Sequence, residues 1–480
     1  MPSDKINLLL PADAPARLRW ATEELLARAG VAYRLIDGPH DRAPEGIVLA
    51  IGCDLPKGAV GLRLGGPDAM DAMALARRLA DGTAGELVQP VAEGQLALPI
   101  DLGDVYEEWL GRREEYDPTK HDARGRIRLD CHALTAAGLG QTPLAELLAD
   151  VVHESLARLA NQSHVALAKR QSPWPGGAKF ACQLSHDVDR IGGRYKIWRR
   201  YAVWGARYVR DRLAGRESAQ EHLGRIRRWW NEPGDPHYCV PKLLELEGKY
   251  GATSTFYFFC NRTASTRGQK ASRMYRIQDK LPRQAVSLIV RNGWEAGVHG
   301  TYCTHTDARV MAEHRRRLEE VAGEQIVGIR QHYLHLAVPE TWRAQQQAGF
   351  AYDATLGWNF DMGLRAATCR PFQIWDCRRQ CRIGLYQLPL THQDVTLGLR
   401  FGPPETWLDG LSGMLGRIEN VGGAASILLH PNRMDAVEFP GQPEFYEDLL
   451  GLLKGRGAVV RSGRDIIAAE VDHRRFLAED

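Results

Sequence analysis

Two carboxylates stand one residue apart in the stretch "QLSHDVDR", Asp187 and Asp189, just past the apolar run that follows Lys179. On an extended strand, residues two apart point to the same side. Two carboxylates on one side repel unless a cation or a shared proton lies between them. Further along, "EAGVHGTYCTHTD" (Glu295 to Asp307) offers His299, Cys303 and His305 as ligands, and Arg330 and His430 each end an apolar segment. A divalent metal on an aspartate and one or two imidazoles keeps positions open for water and substrate, as a hydrolytic site requires. A carboxylate left off the metal can take a proton from that water. Arg330 suits the task of holding such a base ionised through charge-assisted hydrogen bonds. His430 suits protonation of a leaving group from the opposite side. Together these groups would cleave an amide or ester.

Each residue also has a plainer reading. Aspartate is common where a strand turns into a helix, a buried histidine can be a satisfied core residue, and an arginine on a barrel rim pairs with any acid nearby. It is the order of all five that favours chemistry. His186, His332, His335 and His392 stand near the same rim and read as supporting, substrate-facing or structural rather than as ligands. His314 falls in a helical pattern and reads as solvated.

The elements that must position these groups are legible from periodicity. Short, apolar, β-rich segments recur between helical patterns: Phe180 to Leu184, Thr253 to Phe259, Glu295 to His299, Ile326 to Arg330, Tyr352 to Leu356, Leu385 to Leu390, Ser426 to His430 and Val459 to Val460. Buried parallel strands have this composition. About eight such units predict a β/α barrel, with the polar residues at the downstream strand ends sharing one rim. Ahead of it, residues 1–172 read as a smaller α/β domain. Ile6 to Leu10 predicts a strand, Ala16 to Ala29 a helix ending at Gly30, Val31 to Ile36 and Gly46 to Gly52 further strands, and Leu144 to Leu159 a helix. The stretch Gln171 to Gly177 reads as a linker, so the second domain spans 173–480.

An insertion at about 191–241 is rich in Arg, Lys and aromatics, including Tyr195, Trp198, Tyr201, Trp204 and Tyr208. It reads either as a solvated helix pair or as a surface meeting anionic lipid or a phosphorylated substrate. The chain's formal charge of +3 is near balance and points to no nucleic acid. Its nine cysteines are scattered and odd in number, which reads as reduced thiols in a cytoplasmic protein. Cys377 and Cys381 lack the second pair of a zinc knuckle. Pro11 and Asp13 interrupt the only apolar run near the N-terminus, which is neither an export signal nor a span.

In combination and order these motifs resemble the NodB-homology polysaccharide deacetylases, carbohydrate esterase family four, over about residues 178–465. The matching stretches are Ser185-His-Asp-Val-Asp189, His299-Gly-Thr301, Arg330 in "GIRQHYL", "YDATLGW" from Tyr352 to Trp358, and Leu429-His430-Pro431. The resemblance implies a distorted (β/α) barrel and a metal-dependent hydrolase that removes acetyl groups from sugars. It makes Asp187 the general base, Asp189 and His299 metal ligands, Arg330 the partner that orients the base, and His430 the acid. Asp394 would orient His430. The family's second metal histidine comes four residues after the first, where this chain has Cys303. His305 is expected to complete the shell, with Cys303 as thiolate or only two protein ligands as alternatives. Leu356 and Gly357 stand where the fourth motif has a second acidic residue. The expected cofactor is one divalent transition metal, zinc first, then cobalt or nickel. The expected substrate is an N-acetylated sugar or glycan intermediate, a cytoplasmic precursor of surface polysaccharide. A non-catalytic glycan- or lipid-intermediate-binding protein on a decayed barrel, and a hydrolase of a non-sugar amide, are the alternatives.

Overall fold

The computed structural model describes residues 5–36, 44–191, 238–260 and 275–478, apart from positions 67, 124 and 437, with scattered positions between 205 and 227. The basic, aromatic insertion read at about 191–241 therefore lies largely outside the described residues.

Six strands build a first sheet: β1 (Ile6–Leu9), β2 (Tyr33–Ile36), β3 (Ile47–Ile51), β4 (Val60–Leu64), β5 (Gln89–Ala92) and β6 (Gln95–Leu98). Their order is β2-β1-β3-β4-β6-β5, parallel except where β5 meets β6. The helix Ala16–Ala29 ends at Gly30, whose φ of 63° suits the left-handed cap that glycine adopts without a Cβ penalty. The alternation read from the sequence thus becomes an α/β layer.

The second sheet begins with β7 (Phe180–Val188), β8 (Thr255–Phe258), β9 (Glu295–Gly300), β10 (Gly328–Gln331) and β11 (Tyr352–Asp353). It continues with β12 (Phe372–Asp376), β13 (Cys381–Gln387), β14 (His392–Gln393), β15 (Ala424–Leu428) and β16 (Ala458–Arg461). Parallel pairing runs β11-β10-β9-β8-β7-β15-β14, with β13 parallel to β11 and β16 beside the start of β7. The chain between β13 and β14 bridges the two edges. Leu388 N–H donates to Asp353 O and Leu390 N–H to Leu356 O on one side, and Thr391 N–H to Ser426 O on the other. The sheet is therefore curled into a distorted barrel, as the eight apolar segments predict. The antiparallel hairpin β12–β13 is an addition the pattern did not announce.

Inside the barrel, β7 alternates. Cys182 and Leu184 pack into the apolar core, while Gln183 and Ser185 meet polar partners from other strands. Tyr257 of β8 and Tyr352 of β11 place their hydroxyls 3.2 Å apart, and Tyr352 donates to Glu295 at 2.9 Å. The other Glu295 oxygen accepts from Thr255 and from the N–H of Arg464, in the first turn of the helix Gly463–Ala478. A carboxylate at a helix N-terminus is favourable, and here it closes the barrel floor. Two glycines make room for the rings: a Cβ on Gly328 would lie 2.3 Å from Tyr352, and one on Gly297 would lie 2.7 Å from Tyr257.

The apolar core runs continuously from one sheet to the other. Trp20 stacks on Trp375 at 5.2 Å, and Trp375 donates to Glu107. Buried charge reinforces the joint. Arg474 donates to Glu24 at 2.7 and 2.9 Å and to Glu470 at 3.0 Å, and Glu470 also accepts from Arg370. The stretch read as a linker is fastened too, with Trp174 buried and donating to Gly422 O at 2.7 Å. His314 is buried rather than solvated, because the inner face of the helix Ala308–Ala322 is Met311, His314 and Leu318. Among the described residues no helix is long and apolar enough to cross a membrane, and no disulfide forms among the nine cysteines.

Burial works against ionisation of Glu470, yet Arg370 and Arg474 hold its carboxyl down to about 2. A depressed acid contributes stability above its unfolded range near 4.5, and that contribution is lost as pH falls toward 2. Urea unfolding should therefore be one transition whose midpoint drops between pH 5 and pH 3. Arg474→Met should cost about 3 kcal/mol or more at pH 7, since it removes one partner of two buried carboxylates. Two separate transitions, or a midpoint indifferent to acid, would contradict this account of the joint.

Candidate metal centre

Asp187 lies on β7 opposite Tyr257, and Asp189 lies just beyond the strand, where its N–H turns back to Asp187 O at 2.9 Å. Tyr275 fastens this strand end by donating to Val188 O at 2.6 Å while accepting from Phe259 N–H. His299 and Arg330 are register partners on β9 and β10. The Nδ1 of His299 lies 2.9 Å from Arg330 O. A carbonyl only accepts, so Nδ1 carries the proton and Nε2 presents a lone pair when the ring is neutral. That Nε2 is 3.3 Å from Asp189 Oδ1 and 3.6 Å from Asp187 Oδ2.

Arg330 is fully buried and divides its donors. Nη1 reaches Asp187 Oδ1 at 3.1 Å and Ser185 Oγ at 2.8 Å, and Nε reaches Ala354 O at 2.9 Å. Its guanidinium lies 4.5 Å over the Tyr257 ring, so the polar column of the barrel floor supports it from beneath. On the other side, His430 follows β15 with Nδ1 2.9 Å from Asp394 Oδ1 and its backbone N–H 2.7 Å from Oδ2. Arg433 lies 3.1 Å from the same carboxylate. Burial disfavours the His430 imidazolium, but Asp394 outweighs burial, with Asp189 and Asp187 adding to it, and raises the ring to about 9. Asp394 is held below its ordinary range, where burial is outweighed by His430 and Arg433.

One group of described residues could hold a metal ion: the ligand atoms of Asp189, His299 and His332 lie within 4.8 Å of one another. Two observations fit a cation there. Asp189 Oδ1 and His299 Nε2 are both buried without a hydrogen-bond partner, which is costly unless something else satisfies them. The imidazoles also flank the Asp189 carboxylate, with His299 Nε2 3.3 Å from Oδ1 and His332 Nε2 3.7 Å from Oδ2. An aspartate with two imidazoles is a donor set suited to zinc and its neighbours.

His305, the expected third ligand, is placed elsewhere. Its Nδ1 faces Tyr302 O at 3.2 Å and its ring packs 3.6 Å from that of His335, with burial and then His335 lowering it to about 4. The third member of the group that could hold a metal is His332, which the sequence reading set among the supporting residues. The physical reason lies in the strand exits. The turn after His299 winds into a short 3-10 helix, Tyr302–Thr304, which carries His305 away from the barrel axis. His332 follows β10 directly, two residues past Arg330 and one strand over from His299. Its signal in the sequence is its place two residues after Arg330, at the exit of the strand beside His299 rather than in the loop that follows His299. Cys303 is exposed and outside the cluster. Asp353, in the "YDATLGW" stretch, accepts from Gln345 and Thr355 and so fastens the end of β11 to the helix Glu340–Gln347. His186 is buried against Glu247 at 2.9 Å, and His392 is buried beside Thr391.

No family model matches this chain, and no curated protein matches it. Solved structures that resemble it include a Mycobacterium smegmatis protein assigned as a polysaccharide deacetylase, at 17% identity and TM-score 0.41, covering 63% of this chain and 94% of that one. Puue allantoinase is similar at 14% identity and TM-score 0.41, over 63% and 94%. A Pseudomonas aeruginosa PAO1 protein, also assigned as a polysaccharide deacetylase, is similar at 15% identity and TM-score 0.40, over 62% and 93%.

Zinc titration of the whole chain separates the two candidate third ligands. His332→Ala should weaken binding by about 100-fold or more, and His305→Ala by no more than about threefold. The reverse ranking would return His305 to the metal shell.

Proposed function

We propose that this chain is a metal-dependent hydrolase that removes the acetyl group from an N-acetylated sugar. The observation that carries the reading is that an Arg330-bound carboxylate, Asp187, lies 3.6 Å from His299 and an Asp394-bound imidazole, His430, lies 3.8 Å from Asp189, both at the Asp189–His299–His332 cluster. The motif resemblance to carbohydrate esterase family four agrees with it. A divalent transition metal, zinc first and cobalt or nickel next, held by Asp189, His299 and His332 would supply Lewis-acid polarisation of water and of the acyl oxygen.

The chain's own residues supply the proton transfers. Asp187 accepts a proton from the attacking water at Oδ2, because Oδ1 is engaged by Arg330. Arg330 stays in place through its bonds to Ser185 and Ala354 O and its seat on Tyr257, so the base does not rotate away. His430 holds its Nδ1 proton against Asp394 and turns Nε2 toward the site, 3.8 Å from Asp189. Protonated at neutral pH, it gives the Nε2 proton to the departing amine. Asp394 fixes the ring and stabilises its positive form. The decayed-barrel alternative rests on the missing second histidine after His299, and the place of His332 beside Asp189 and His299 favours the hydrolase reading over it. A cytoplasmic precursor of surface polysaccharide remains the substrate we propose.

The test is acetate release from a panel of N-acetylated sugars by the zinc- or cobalt-loaded chain. Asp187→Asn should lower kcat by about 1,000-fold with metal content unchanged. His430 acts as an acid only while protonated, so the rate should fall as pH rises through its range. A bound cation offsets the aspartates, which sets this alkaline limb no higher than about 9. Asp394→Asn removes the charge that favours the imidazolium and should move the limb down by about one pH unit or more. Tight glycan binding without acetate release would favour the binding-protein alternative, and acetate released only from non-sugar amides the other hydrolase.

A further inference from the structure

Beyond the strand ends two aromatic rings stand exposed, Tyr333 against His332 of the cluster and Phe360 next to Asn359, which bonds the Tyr333 backbone. The N-terminal part of the chain backs the second. Tyr333 is 52% exposed and Phe360 is 61% exposed, whereas most aromatic rings of the described chain are buried. Tyr333 follows His332 in a strained turn, with φ of 58° at Tyr333 and 50° at Leu334. Left-handed backbone at two successive bulky residues costs on the order of 1–3 kcal/mol each and persists only where the surroundings impose it. The turn separates three neighbouring side chains. His332 joins the cluster, Leu334 packs with Leu390 and Leu428, and the Tyr333 ring goes out to solvent with its centroid still 4.0 Å from that of His332.

Phe360 belongs to the loop from Gly357 to Leu364, which is clamped on both sides. On the rim side, Asn359 donates to Tyr333 O at 2.5 Å, and Gln393, next to Asp394, donates to Trp358 O and Asn359 O. On the other side stand residues from 112 to 140. Glu115 is buried and takes both Arg365 donors, His132 reaches Arg365 O at 3.1 Å and meets Trp358 edge-on, and Gly140 O accepts from Leu364 N–H. Arg126, held by Asp122 through Nε and Nη2, covers one face of Phe360 at 5.6 Å. With Asp122 neutralising it, Arg126 supports the ring rather than offering a charge.

We propose that Tyr333 and Phe360 form a binding edge for a pyranose ring next to the one being deacetylated, and that the segment from 112 to 140 builds the Phe360 half of it. The inference rests on the deacetylase reading above. Exposed rings at the rim of a candidate site are a ligand-facing feature rather than a packing one, and the apolar face of a sugar ring is the partner that matches a flat aromatic surface flanked by amide and carbonyl groups. The N-terminal layer is then part of the substrate site rather than an appendage.

The test uses the full-length Asp187→Asn chain loaded with zinc, which binds without turnover, against a panel of N-acetylated tetrasaccharides and their monosaccharides by calorimetry. We expect at least one tetrasaccharide to bind about tenfold or more tighter than its monosaccharide. Tyr333→Ala, Phe360→Ala and Arg126→Ala should each erase most of that difference, while monosaccharide and zinc affinities stay within about twofold. Equal affinity for tetramer and monomer, or length preference unchanged in the variants, overturns the binding edge and leaves the deacetylase reading standing. Binding of no sugar at all with normal zinc affinity overturns both. Self-association that is lost in Phe360→Ala also overturns it, assigning the rings to a contact between copies of the chain.

Discussion

Two aspartates at the end of one strand impose a demand that the rest of the barrel meets. Asp187 near the end of β7 is buried and Asp189 just past it is partly so, and each needs positive charge or donors at close range. Arg330 answers for Asp187 from β10, and His299, His332 and His430 converge on Asp189 from the ends of β9, β10 and β15. The opposing neighbours give the two carboxylates different surroundings: one is tied to a fixed guanidinium, the other keeps a buried oxygen without a protein donor. That asymmetry, rather than the mere presence of two acids, is what distinguishes them.

The arginine in turn depends on the barrel floor. Its guanidinium lies on Tyr257, whose hydroxyl meets Tyr352, whose hydroxyl meets Glu295, which is capped by the backbone of Arg464. Gly297 and Gly328 are small so that both rings fit. A barrel interior is normally filled by aliphatic layers. Here a polar column held by hydrogen bonds from Tyr257 to Glu295 fills it.

The N-terminal layer is bound to the barrel more firmly than an accessory domain needs to be. A continuous apolar core, the Trp20–Trp375 stack and the Glu24–Arg474–Glu470 chain of charges join them. Breaking a buried ion pair exposes its partner to the full cost of desolvation, so the joint resists hinge motion. Through Arg365 and the loop from Gly357 to Leu364, the same joint reaches the rim of the metal cluster.

Much of this was legible in the chain itself. Apolar segments of strand length, spaced by helical patterns, located the barrel strands because burial on both faces demands that composition. Asp187, Asp189, His299, Arg330 and His430 stood out because each is a costly residue to place at the end of an apolar strand, and strand ends of parallel sheets meet at one rim. Asp394 could be named as a partner for His430, but only the pairing of β14 with β15 brings the two within 2.9 Å. What sequence could not decide was which histidine joins Asp189. Distance along the chain favoured His305, yet a 3-10 turn takes it aside, and register between β9 and β10 brings His332 in instead. Residue type and order determine which chemistry is possible. Strand register and the path of each exit loop decide which atoms meet, because those depend on neighbours hundreds of residues away.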